Sequence, residues 1–259
     1  MCCANLTIGA KGGYWGSVYF INNTQLVSTN SFTDLGIDTD SSLSYHNHIA
    51  SIVSKATQRV GILFRGFMTR DLQFMRKAFI TYIRPLLEYN SCVWNPHHKE
   101  YINLIEKVQR RFTKRIPSLR DLSYAERLAI INLEPLELRR LKTDLTEYYK
   151  IFNHLDAIEG ADHFNFYEPL ASTRSSSPKL IKPAKGNNTV MFSFFNRAID
   201  CWNSLPHNVR FCTSLSSFKH QLCNIDLSSF LITRSIYVPW NTGICPLLHS
   251  TVPYVSRKL

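Results

Sequence analysis

A mainly α fold, in which a short N-terminal β-hairpin leads into a helical bundle and a small C-terminal helical unit, follows from three features of the 259-residue sequence. Apolar residues recur at helical spacing through residues 45–154. The first forty residues are rich in β-formers and turn pairs, and short aromatic helical patterns return after residue 190. Hydrophobic residues make up 44% and charged residues 19%, so the chain has material for a core and is not globally disordered. No run of about 18 uncharged apolar residues occurs, which leaves no candidate for a membrane-spanning helix and predicts no membrane partner.

Near the N-terminus, residues 17–21 and 25–27 flank Asn22-Asn23, the pattern of two strands joined by a two-residue turn. A third run over 32–37 holds Asp34-Leu35-Gly36 and completes a small β-element within residues 1–40. From about Tyr45 the period changes. Ile49, Ile52, Val53, Ala56, Val60, Leu63, Phe64 and Phe67 share one arc of an amphipathic helix, with Lys55, Arg59 and Arg65 off it. A second helix starts at Asp71, a good N-cap, and runs towards Arg84 with Phe74, Ala78, Tyr82 and Ile83 inward; Pro85 should kink or end it. Asn95-Pro96-His97-His98 reads as a turn.

The next helix spans 99–116. Tyr101, Leu104, Ile105, Val108, Phe112 and Ile116 form its apolar stripe, Lys107, Arg110, Arg111, Lys114 and Arg115 occupy a neighbouring arc, and Pro117 stops it. Two more helices follow, over 123–131 with a capping box in Ser123-Tyr124-Ala125-Glu126, and over 137–154. Together these helices define a unit over 41–155. Residues 156–190, with Ser175-Ser176-Ser177-Pro178, Pro183 and Gly186-Asn187-Asn188, read as a linker. In 191–259, Phe192, Phe194, Phe195, Ile199 and Trp202 predict a helix ended by Pro206, and 215–222 predicts another; the last thirty residues show no period.

The net charge is +11, and the stretch from 55 to 150 carries nineteen Lys and Arg against ten Asp and Glu, so nearly all of the excess sits in the helical region. A polyanion is the natural partner. Cations along a rigid rod can neutralise several phosphates at once and release their counterions, and the rod at Lys107, Arg110, Arg111, Lys114 and Arg115 has that form, with Lys55, Arg59 and Arg65 as a second strip. Such contacts carry little sequence information. The competing reading is a solvated face, with Glu106 pairing to Arg110 and Glu100 lying a turn earlier.

Other chemistry finds little support. Seven cysteines without a CxxC pair predict reduced thiols and a nuclear or cytoplasmic setting. His46 with His48, and Cys92 with His97 and His98, each lack the partners that complete a tetrahedral zinc site, so neither a metal nor a cofactor is expected. Asp38-Thr39-Asp40 reads as a solvated turn, and the glycines at 9, 12, 13 and 16 match no phosphate-binding loop. Trp94 and Trp202 read as residues packed under turns.

Several strings in order nevertheless carry a resemblance: Phe32-Thr33-Asp34-Leu35-Gly36-Ile37, Tyr82-Ile83-Arg84-Pro85-Leu86-Leu87-Glu88-Tyr89, Val93-Trp94-Asn95-Pro96, and Leu104-Ile105-Glu106-Lys107-Val108-Gln109-Arg110-Arg111-Phe112. They continue in Leu122-Ser123-Tyr124-Ala125-Glu126-Arg127-Leu128, Leu138-Arg139-Arg140-Leu141, Phe195-Asn196-Arg197, Trp202-Asn203-Ser204-Leu205-Pro206 and Phe218-Lys219. Over about residues 18–222 the sequence resembles the region of non-LTR (LINE-type, jockey/CR1-like) retrotransposon reverse transcriptases that follows the catalytic palm. The resemblance implies that the hairpin is the end of a palm and that the helices from Tyr45 form a thumb, which in that family holds RNA or an RNA/DNA duplex as template-primer. The family's catalytic aromatic-Ala-Asp-Asp turn and earlier palm aspartate, which bind divalent metal, have no counterpart here, so no polymerase activity is expected of this chain alone. Arg174-Ser175-Ser176 also lacks the Gly-His that often follows the arginine in relatives. Met1 opening in mid-domain is read as a missing upstream polymerase region or a truncated copy. The alternative is a non-catalytic protein-interaction module or an inert transposon relic.

Overall fold

The computed structural model describes residues 4–6, 20–25, 27–158, 163–167, 179–183 and 186–233. The chain is mainly helical, with short β-pairs at the N-terminus and one between the helical regions. The glycines at 9–16, Arg174-Ser175-Ser176 and the aperiodic tail lie outside the described residues.

Strands β1 (Ala4–Leu6), β2 (Phe20–Ile21), β3 (Thr24–Gln25) and β4 (Val27–Thr29) come first. β2 and β3 pair antiparallel around Asn22 and Asn23, whose φ values of 47° and 59° are what a two-residue hairpin turn of the I′ kind demands. The run read as a third strand is itself a hairpin: β5 (Ser31–Asp34) pairs with β6 (Ile37–Asp40), Ser31 opposite Asp40. Leu35 and Gly36 make its turn at φ 47° and 83°, a conformation in which Gly36 escapes the Cβ penalty. Ile37 points this hairpin into the helical core. Asp38 and Asp40 meet local hydroxyls: Thr33 donates to Asp38 (2.6 Å), while the Ser42 and Ser44 amides and hydroxyls donate to Asp40. Burial works to raise the Asp40 carboxyl, but those hydrogen bonds outweigh it and hold it down at about 2.

α1 (His46–Gly66) buries Ile49, Ile52, Ala56, Val60, Leu63 and Phe64 as its period predicts, together with His48, whose Nδ1 accepts from the Asp38 amide. Gly61 lies within this helix, and a Cβ there would meet only the Arg65 guanidinium at an ordinary 3.5 Å. Gly61→Ala is therefore expected to stabilise the protein by about 0.5–1 kcal/mol, read as a raised urea midpoint at constant slope.

α2 (Leu72–Ala78) starts at the predicted cap, with Asp71 accepting from the Phe74 amide at 2.8 Å. The chain stays helical through Pro85. A π turn (Phe79–Ile83) precedes α3 (Arg84–Glu88), and the Arg84 amide reaches back to the Phe79 carbonyl. The extra residue in the wider turn explains the correction to the inward face. Met75, Phe79, Ile83 and Leu87 are buried at intervals of four, too wide for a straight α-helix, while Tyr82 is exposed. α4 (Ser91–Trp94) follows, with the buried Trp94 indole donating to the Tyr89 carbonyl.

α5 (Lys99–Lys114) buries Ile102, Ile105, Val108 and Phe112, but also Glu106, Gln109 and Thr113, so its inner face is rotated from the purely apolar stripe. The polar residues face α6 (Tyr124–Ile131), which opens with the expected capping box, and the start of α7 (Leu136–Phe152). Tyr124 and Gln109 donate to the Glu106 carboxylate, and the Leu136 amide donates to its other oxygen at 2.9 Å. Burial pushes the Glu106 carboxyl up against these bonds.

α7 joins two cores. Leu136 closes the first, which runs from Ile37; Leu138, Leu145, Tyr148, Tyr149 and Ile151 enter the second with Phe164, Leu180 and residues of 198–231. The second core thus begins inside the segment read as the 41–155 unit. The segment read as a linker contributes to it: β7 (Asn165–Tyr167) pairs with β8 (Lys179–Ile181), and the Asn203 amide exchanges two 2.9 Å hydrogen bonds with the Leu180 backbone. The single aromatic helix expected before Pro206 is three short ones, α8 (Asn188–Met191), α9 (Phe194–Arg197) and α10 (Ile199–Ser204), followed by α11 (His207–Arg210) and α12 (Leu215–Cys223). Cys201 is a free thiol in this core, and burial pushes it up to about 12, which makes it inert.

Candidate nucleic-acid interface

α1 and α5 lie side by side and run in the same direction. Near their starts the Tyr101 hydroxyl sits 2.6 Å from His46 Nδ1, and near their ends the Phe64 and Phe112 rings meet at 5.4 Å. The two C-terminal ends are therefore neighbours, and so are the cations they carry.

Arg115 stands over the Phe64 ring at 4.2 Å, and Arg70 approaches the same ring at 5.1 Å. Arg70 is fixed by its backbone contacts, donating to the carbonyls of Phe64 (2.8 Å), Thr69 (2.8 Å) and Phe67. Burial is the first cause that holds the Arg115 guanidinium below its ordinary range, and the charges of Arg111, Arg70 and Arg65 add to it. Four guanidinium groups thus share one neighbourhood. Lys107, Arg111 and Lys114 are exposed along the outer side of α5, one turn apart, leading up to that cluster. Negative helix ends favour cations here by a few tenths to about 1 kcal/mol each, too little to neutralise the group.

Among the described residues, ion pairs form on Arg84, Arg139, Lys142, Lys150, Lys182 and Arg197, and none involves a cation of this face. Glu106 does not pair with Arg110 at the surface, because it is turned inward to Tyr124 and Leu136. The basic face is left to solvent and to whatever anion reaches it.

The eight residues singled out in the sequence do not form two parallel strips. Lys107, Arg111, Lys114 and Arg115 belong together. Arg110 leans away, half-buried, with its guanidinium 4.9 Å from the Tyr124 ring of α6. Arg65 leaves the second strip and joins the arginine cluster. Lys55 is nine residues from both His46 and Phe64, about two and a half helical turns, so Lys55 and its neighbour Arg59 are exposed on the side of α1 turned away from α5. Arg70 was missed by periodicity because it follows the helix; an arginine placed to cap the last carbonyls is the signal that could have found it.

At the other end of α1 and α5, a cleft of about 1240 Å³ opens between the two cores. His97 stacks on Phe192 there at 4.0 Å, and His98 and Tyr101 line it. Among the described residues, no three His, Cys, Asp or Glu side chains are placed to hold a metal ion, and no helix is long and apolar enough to cross a membrane.

The chain is 28% identical over 165 residues to an uncharacterized protein of Caenorhabditis elegans, a match that covers 62% of this chain and 80% of that one. No protein family matches the chain, and no solved structure matches it.

Proposed function

We propose that this chain is the thumb and downstream region of a protein related to non-LTR retrotransposon reverse transcriptases, and that it holds RNA or an RNA/DNA duplex through backbone contacts. The observation that carries the reading is the gathering of Arg65, Arg70, Arg111 and Arg115, approached by Lys107 and Lys114, with no carboxylate paired to any of them among the described residues. Like charges kept together on two rigid helices favour a partner that supplies several anions at fixed spacing, and a nucleic-acid backbone does so. The order of elements, hairpin first and helices after, supports the same reading. Catalysis would belong to a palm with its own metal-binding aspartates. Binding of a labelled RNA/DNA hybrid is expected to fall steeply with salt. For about five phosphate contacts the log–log slope is near −3.5 to −4.5. An affinity that does not change with salt would contradict the proposal.

A further inference from the structure

An exposed apolar tip follows the last turn of α1, next to the Phe64 ring that Arg70 and Arg115 share. Met68, in the loop between α1 and α2, is 94% exposed, the highest value for a large apolar side chain among the described residues. Phe67, its neighbour in sequence, is 40% exposed. Single exposed apolar residues are ordinary on a surface. This loop differs because it is braced on every side. The Phe67 amide donates to the Leu63 carbonyl at 3.1 Å, and the Phe67 ring rests edge-on against Phe74 at 5.0 Å. Arg70 ties together three carbonyls of the turn, and Asp71 caps the helix that follows. The fold therefore spends hydrogen bonds on holding Met68 out in water, with Arg70 in the same turn and Arg115 sharing the Phe64 ring with Arg70.

We infer that this tip is a stacking wedge: Met68 and the free part of the Phe67 ring take the face of an unpaired base while the arginines hold the phosphates on either side of it. The inference rests on the nucleic-acid reading above and adds to the backbone grip a site for a strand with unpaired bases, since inside a continuous duplex each base face is covered by its neighbours. Unbranched and aromatic apolar side chains at a protruding tip are the kind that enter between bases. A base stacked on a protein side chain adds binding without sequence preference. A lipid surface, the other anionic partner that apolar tips meet, would draw on insertion of a broad apolar face. Here only Met68 and part of the Phe67 side chain are offered.

Met68→Ser tests this in the full chain, since a residue so exposed contributes little to folding. Affinities for a labelled single-stranded oligonucleotide, for a blunt duplex of equal charge and for phosphatidylserine vesicles are compared at one salt concentration. The expected result is a loss of about tenfold for the single strand and less than twofold for the blunt duplex, with an unchanged salt slope. Equal losses on both nucleic acids, or no loss on either, would overturn the wedge and leave the backbone grip standing. A wild-type protein that ignores both nucleic acids would overturn both readings, and vesicle binding weakened by the substitution would then assign the tip to a lipid surface.

Discussion

Arg197→Met is expected to destabilise the protein by about 3–5 kcal/mol, the largest single effect in the structure, because it strands a carboxylate in the interior. Asp144 of α7 is 1% exposed and takes two hydrogen bonds from Arg197, at 2.7 and 2.8 Å. Burial works against the charged guanidinium, and the neighbouring carboxylate outweighs it. The same guanidinium donates to the Cys92 carbonyl at 2.8 Å, while the Asn95 amide donates to Asp144 at 3.2 Å and accepts from Arg140 at 2.9 Å. Arg197, next to Ala198 and Ile199 of the second core, is thus tied through the Cys92 carbonyl to α4, whose Trp94 belongs to the first. Adding Asp144→Leu to Arg197→Met should restore part of the loss, because the carboxylate stranded by the single change is then gone. Urea unfolding of the two single variants and the double gives the coupling. Equal, additive losses would mean that the pair does not hold the cores together.

The second large effect is on binding. Lys107→Gln, Arg111→Gln and Lys114→Gln together are expected to weaken the RNA/DNA hybrid complex about 10²-fold near 0.1 M salt, since each lost phosphate contact removes about 0.7–0.9 from the log–log salt slope. The three side chains are exposed and make no ion pair among the described residues, so the urea midpoint should stay within about 0.5 kcal/mol of the wild type. An unchanged affinity would return these residues to the role of a solvated face.

Much of the fold was legible because it is written locally. The paired asparagines at 22 and 23 set the first hairpin, the Asp71 and Ser123 caps mark helix starts, and the apolar arc of α1 was read nearly residue by residue. What was not legible depends on distant partners. Glu106, Gln109 and Thr113 are polar, so periodicity assigns them to solvent, and only Tyr124, Arg127 and the Leu136 amide make their burial affordable. The π turn before Pro85 has no local signature beyond the proline. Ser- and Pro-rich composition concealed a strand pair in 156–190 because its support comes from Asn203. At the candidate site, the cationic face of α5 was visible in the sequence. Its extension to Arg65 and Arg70 was not, since it requires α1 and α5 to run parallel and end together, and nothing within either helix states that direction.

The most direct measurement compares two triple variants of equal net charge by the salt dependence of hybrid binding. One removes Lys107, Arg111 and Lys114 from the outer side of α5; the other removes Lys99, Lys179 and Lys219, exposed elsewhere. The first should flatten the log–log slope by about 2–3 and the second should leave it within about 0.5 of the wild type. Equal slopes for the two variants would show that total charge, and not this face, binds the nucleic acid.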